Sequence, residues 1–257
     1  MEYIIICIVA FMASGLTLLS GFGLGSLLMP AFAIFFPAEI AVAMTAIVHL
    51  ANNLFKLTLL GKYANKSVVL KFGIPAIFAA YLGANALLWL ADMQPIYVYE
   101  LFQKQFRVMP VNLTIGVMII TFVIVELIPG LKNFSISENY LPIGGVFSGF
   151  FGGLSGHQGS IRTIFLLRTG LSKEPFIATG VVIACLIDVS RIFVYSHRFT
   201  AANFEGSWAL LISAILAAFT GAFIGRQLMK KVTMRGIQIL ISIMLTLLAA
   251  ALCMGLI

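Results

Sequence analysis

Residues 148–168 read Ser148-Gly-Phe-Phe-Gly-Gly-Leu-Ser-Gly-His157-Gln158-Gly-Ser-Ile-Arg162-Thr-Ile-Phe-Leu-Leu-Arg168. Five glycines (149, 152, 153, 156 and 159) fall in an otherwise apolar run, and His157, Gln158, Ser160 and Arg162 follow within six positions. Glycine at this density breaks a helix or lets two backbones approach closely. Polar and charged side chains at such a break have a cost that only a specific role offsets. A weaker echo lies at Ser20-Gly-Phe-Gly-Leu-Gly-Ser26. The two stretches are the expected halves of one site.

The surroundings of both stretches are membrane-like. The chain has 257 residues, 61% of them hydrophobic and only 10% charged, against about a quarter charged in a soluble domain. Apolar runs recur along the whole length, several near the roughly 20 residues that span a bilayer as helix. Open strands are excluded there because their backbone groups would go unsatisfied in lipid. The expected class is an all-α polytopic membrane protein. The net charge of +7 then reflects basic loops rather than a nucleic-acid partner. Cys7, Cys185 and Cys253 sit singly in apolar runs, so neither a disulfide framework nor a metal site is expected, and no cofactor is implied. The first apolar run lacks a basic n-region and is expected to be retained.

In order along the chain, residues 4–36 form a hairpin of two short apolar pieces, 4–19 and 26–36, broken at Gly21, Gly23 and Gly25. The pieces leave open whether the hairpin is re-entrant or makes two tilted crossings. Helices follow at 39–60, 68–91 and 111–128. Between the last two, residues 92–110 mix Tyr97, Tyr99, Phe102 and Phe106 with Glu100, Lys104 and Arg107, the composition of a segment lying at the interface. The pattern then repeats: a hairpin at 140–169 and helices at 175–196, 207–228 and 234–256. Ala79-Ala-Tyr-Leu-Gly-Ala84 matches Ala217-Ala-Phe-Thr-Gly-Ala222, and Asn53-x-x-Lys56 matches Asp188-x-x-Arg191. Each half, 1–130 and 131–257, holds an odd number of crossings however its hairpin is drawn. The halves therefore face opposite ways, as inverted-topology repeats.

Loop charge orients the whole. The side opposite the N-terminus collects Lys62, Lys66, Lys71, Lys132, Arg168, Lys173, Lys230, Lys231 and Arg235, against Lys104, Arg107 and Arg198 on the other. The basic side is expected to be cytoplasmic and both termini extracytoplasmic, in the cell membrane.

Inverted repeats with broken helices are an architecture of secondary transporters, with substrate held near the midplane. A broken helix turns unpaired N–H groups and the positive end of its dipole inward, which favours an anion. The expected substrate-binding set is Gly21, Gly23, Gly25 and Ser26 from the first hairpin. The second hairpin adds Gly156, His157, Gln158, Gly159, Ser160 and Arg162. Arg162 has no acidic residue within one helical turn, so a bound anion or Asp188 from across the bundle is its expected partner. Protonation of His157 would add a second positive charge. His49, Asn53, Lys56, Asp188 and Arg191 are candidates for coupling to a proton or sodium ion or for supporting the site. Asp188 and Arg191 are spaced to pair at i,i+3, while Lys56 and Arg191 lie near enough to helix ends to snorkel to the headgroups. Gly221-x-x-x-Gly225 reads as ordinary helix packing; in the two hairpins the accompanying polar residues favour a site over packing.

Two alternatives compete. An aquaporin-like channel also uses paired half-helix hairpins, but neither hairpin here carries Asn-Pro-Ala. Gly153-Leu-Ser155-Gly156 matches the short motif of rhomboid serine proteases, yet the only histidine beyond the hairpin, His197, falls in an expected loop.

With these residues laid out, the chain resembles the sulfite exporter TauE/SafE family over nearly its whole length. Ser20-Gly-Phe-Gly-Leu-Gly-Ser-Leu-Leu-Met-Pro30 and the glycine hairpin at 149–160 carry the resemblance. It implies a permease, not an enzyme, moving small sulfur-containing anions such as sulfite, sulfoacetate or thiosulfate, coupled to an ion gradient. The family's glycine cluster followed by proline is eroded here to Gly-Leu-Gly-Ser in the first half. In the second it becomes Gly-His-Gln-Gly-Ser, followed by Arg162.

Overall fold

The computed structural model describes residues 1–20, 24–127, 138–199, 206–228 and 234–257. Gly21 and Gly23 of the expected site, and Lys132, Lys230 and Lys231 of the basic loops, lie outside the described residues. Among the described residues ten α-helices follow one another: α1 Glu2–Ser20, α2 Leu24–Ala33, α3 Ala38–Leu60, α4 Lys66–Ala91, α5 Pro110–Leu127, α6 Leu141–Ser155, α7 Gly159–Leu166, α8 Lys173–Arg198, α9 Trp208–Leu228 and α10 Met234–Cys253. The helical boundaries expected from apolar runs and glycine breaks agree with these to within a few residues.

Among the described residues three segments are long and apolar enough to cross a membrane: α3 with its following turn (Ala38–Tyr63), α4 and α8, each of 26 residues. At 1.5 Å per residue each spans roughly 39 Å, more than a hydrocarbon core of about 30 Å. The polarity of the molecule is inside out. Large apolar side chains such as Phe78, Leu82, Trp89, Leu216, Phe223 and Leu247 face outward, whereas His49, Asn52, Asp188 and Arg191 are buried. Lipid rather than water is the solvent for which such a surface is made.

The all-α expectation needs one correction. Residues 97–101 and 104–108 form an antiparallel hairpin, β1 (Tyr97–Leu101) and β2 (Lys104–Val108), in which Tyr99 faces Phe106 and Leu101 faces Lys104. Tyr97, Tyr99 and Phe106 stack in a row, the cross-strand aromatic contact that stabilises a two-stranded ribbon. Phe102 and Gln103 close the turn with both φ positive, the conformation of a tight hairpin turn that glycine or asparagine usually supplies. The aromatic and charged mixture of the expected interfacial segment thus folds as a β-hairpin.

Helix contacts run between distant parts of the chain. α4 packs along α6 and α1 along α9, while α3 lies against α8 and α5 against α10. The α4–α6 contact is backbone to backbone. A Cβ at Gly145, Gly149 or Gly153 would overlap the carbonyl oxygen of Phe72, Ala76 or Ala80 respectively, and one at Gly83 that of Phe150. At the α1–α9 contact a Cβ at Gly221 would overlap the Phe11 carbonyl. Gly149 and Gly153 are therefore packing positions, contrary to the expectation that the second hairpin's glycines serve a site; small residues let the helices close up.

Candidate functional site

The face of α3 that carries Thr45, His49, Asn52, Asn53 and Lys56 is buried, and so are Asp188 and Arg191 on the opposing face of α8. Lys56 and Arg191 do not snorkel. Each points its charge into the protein, at 5% and 0% exposure.

Asp188 is the hub. One carboxylate oxygen lies 2.6 Å from His49 Nδ1. The other accepts from Arg191 Nη2 at 2.7 Å and Nε at 3.0 Å, and from Gln158 Nε2 at 2.9 Å. A carboxylate accepts only, so His49 carries its hydrogen on Nδ1. Its Nε2 is then left to accept from the Asn53 amide at 3.3 Å. The expected i,i+3 pair between Asp188 and Arg191 is formed.

The second hairpin is tied to this hub. α6 ends at Gly156, whose φ of +81° turns the chain left-handed, a conformation glycine adopts without strain. Helix ends leave carbonyls without intrahelical partners. Here Arg191 Nη1 donates to the Gly152 carbonyl at 3.3 Å and the Tyr195 hydroxyl to that of Gly153. Ser148 donates to the main-chain carbonyl of Gln158 at 2.9 Å. Gln158 spends its amide hydrogen on Asp188 and its Oε1 on Arg162 Nη1, 3.1 Å away. Arg162 therefore does not pair directly with Asp188, and among the described residues no carboxylate lies within ion-pair distance of it. It is half-buried beside Gly180, as is Ser160 in the first turn of α7.

The first hairpin meets the second at its tip. A Cβ at Gly25 would come within 2.9 Å of the Gly156 carbonyl oxygen and 3.7 Å of the Thr45 methyl. Ser26 Oγ, Thr45 Oγ1 and His157 Nε2 beside this junction, and Asn52 Nδ2 further along α3, are buried and have no partner among the described residues. Buried groups of this kind cost roughly 1–3 kcal/mol each when left unmade. Asn52 Oδ1 accepts from the Ser14 hydroxyl at 2.9 Å, which leaves Nδ2 as the end without a partner among the described residues. His157 stacks on Phe122 of α5 with ring centroids 5.8 Å apart. Thr45, Asn52 and Phe122 are site residues that reasoning along the sequence missed. The position of Thr45 and Asn52 on the same α3 face as His49 and Lys56 is the signal that was there to find.

A family model described as Sulfite exporter TauE/SafE matches residues 6–252. The chain belongs to the sulfite exporter TauE/SafE family. TauE/SafE proteins are membrane transporters, not enzymes. The serine-protease geometry is not assembled either: Ser155 is buried and gives its hydroxyl to the Phe151 carbonyl, while His197 is exposed and bonded to the Phe193 carbonyl. His197 also lies in the last turn of α8 rather than in a loop, with Arg198 beside it paired to Asp92. Comparison with curated proteins and with solved structures found no match.

Proposed function

We propose that this TauE/SafE protein is a secondary transporter of a small anion, most specifically a sulfur oxyanion or organosulfonate such as sulfite or sulfoacetate, bound where the two hairpin tips meet. The observation that carries this reading is charge. Around the tips, among the described residues, two guanidinium side chains, Arg162 and Arg191, stand against one carboxylate, Asp188. An excess positive charge in the bilayer interior costs at least about 2.5–3.5 kcal/mol unless an anion offsets it. The guanidinium of Arg162 and the unpartnered hydroxyl and amide groups of Ser26, Thr45 and Asn52 offer the donors an oxyanion needs. His157, Gln158, Gly159 and Ser160, with Gly25 and Gly156 admitting close approach, line the same junction. The oxyanion preference rests on donor chemistry together with family membership.

The scaffold in this reading is two inverted repeats, 1–130 and 131–257, in the cell membrane with both termini extracytoplasmic. Three features support the repeat. α2 and α7 begin at Leu24 and Gly159, and α3 and α8 at Ala38 and Lys173, both offsets being 135. The partners exchange between halves, α4 with α6 and α1 with α9. The Gly83–Phe150 close approach also has its counterpart in Gly221–Phe11.

Purified protein challenged with a panel of sulfur oxyanions and organosulfonates tests the reading, first by thermal shift and then by flux in liposomes. Arg162→Gln is expected to fold, to lose at least about tenfold in affinity, which is 1.4 kcal/mol, and to stop saturable counterflow. Wild-type affinity in that variant would refute the site, and single-channel currents would refute a carrier.

A further inference from the structure

His157 presents a specific unmet requirement. Its Nδ1 lies 3.2 Å from the Ser155 carbonyl oxygen and 3.3 Å from Ser155 Oγ. The carbonyl can only accept, and the Ser155 hydroxyl is already donated to Phe151. The hydrogen of a neutral ring therefore resides on Nδ1, and Nε2 is a bare acceptor. That acceptor is buried and has no partner among the described residues. The other unpartnered groups do not share the difficulty: Asn52 Nδ2 donates, and the hydroxyls of Ser26 and Thr45 rotate to donate. An oxyanion also only accepts. Bare Nε2 and an anion oxygen therefore repel each other unless one hydrogen stands between them.

We infer that the site takes up its anion together with one proton, held between His157 Nε2 and an oxygen of the bound ion. This rests on the reading of the hairpin tips as an anion site and names what enters with the anion. Whether the hydrogen is formally the anion's or the imidazole's, the count is the same. Among the described residues the charged group nearest the His157 turn is Arg191 on α8, whose Nη1 lies 3.1 Å from where a Cβ on Gly156 would sit, with Arg162 on α7 beyond Gln158. Behind Arg191 stands Asp188, which binds His49 of α3, and Lys56 is buried further along α3. From α5 the ring meets Phe122. Asp188 is engaged with His49, Arg191 and Gln158, which leaves His157 Nε2 as an open proton position among the described residues.

Calorimetric titration of the purified full chain with sulfite tests this, run at a pH where sulfite is chiefly the dianion and in two buffers of different ionisation heat. The wild type should take up about one proton per anion bound, and its affinity should weaken about tenfold per pH unit across that range. His157→Phe, which keeps the stack on Phe122, should bind with neither effect. Buffer-independent heats in the wild type overturn the inference while leaving the anion site standing. Proton uptake that persists in folded His157→Phe does the same. If that variant is not recovered folded, the wild-type heats decide alone. No binding of sulfite to the wild type removes the site reading and the inference together.

Discussion

α2 and α7, and α3 and α8, begin 135 residues apart, yet the residues described around the two glycine breaks are finished differently. Aligned at the offset of 135 residues, Thr45 falls opposite Gly180, Leu27 opposite Arg162, Asn53 opposite Asp188 and Lys56 opposite Arg191. In the second half the missing side chain at Gly180 makes room for Arg162, whose Nε lies 3.6 Å from where a Cβ would be. In the first half Thr45 fills that place against Gly25. The second tip is closed by hydrogen bonds through Ser148, Gln158, Arg162, Asp188 and Arg191. Beside the first, Ser26, Thr45 and Asn52 each keep an atom unmet among the described residues, and in the second His157 Nε2 alone does so. The second tip spends most of its polar groups on holding its own shape, whereas those described beside the first are left open. A satisfied network rigidifies, and unmet groups mark where a ligand's atoms belong.

Breaking the second tip should do the most damage. Asp188→Asn removes the charge that three partners share and strands Arg191, a fully buried cation. About 3–5 kcal/mol of stability should be lost, read by denaturant titration in micelles, with part regained in Asp188→Asn/Arg191→Gln because the two are directly coupled. A loss below about 1 kcal/mol would mean that the hub is not structural. The next effect tests whether the halves are mechanically alike. Gly83→Val and Gly221→Val each force a side chain against a backbone carbonyl and should cost about 1–3 kcal/mol. Closely similar losses support equivalent contacts, whereas a silent member of the pair would break the likeness. The smallest effect sharpens the contrast between tips. Ser148→Ala strips a bond from the Gln158 carbonyl and should cost about 1 kcal/mol. Thr45→Val removes an unmet hydroxyl, so it should leave the unfolding midpoint unchanged or raised while weakening sulfite binding. Destabilisation by Thr45→Val with unchanged binding would place Thr45 in the scaffold instead.

Helix positions were legible because apolar runs and glycine breaks are local: 39–60 became Ala38–Leu60, and 175–196 became Lys173–Arg198. The β-hairpin was not legible, since its turn uses Phe102 and Gln103 rather than glycine or asparagine. Of the site, the Asp188–Arg191 pair could be read from spacing alone. The His49–Asp188 contact joins residues 139 apart, and no spacing rule reaches across that distance. Lys56 and Arg191 look like snorkelling residues when judged only by distance to a helix end. Their burial depends on what faces them, which is information held by the other half of the chain. Gly149 and Gly153 belong to the same lesson: a small residue announces a close neighbour without saying whether it is a ligand or a helix.

Seated over the carbonyls of Phe72, Ala76 and Ala80, the three glycines of α6 act as a spline in a keyway. α6 cannot turn on its axis or slip along α4 without first lifting clear, because the side chains on either side, Phe147 among them, are too large for the slot. Gly221 keys α9 to α1 in the same manner. Each keyed pair joins one helix from the first half of the chain to one from the second, so the two halves are locked together along α4 with α6 and along α1 with α9.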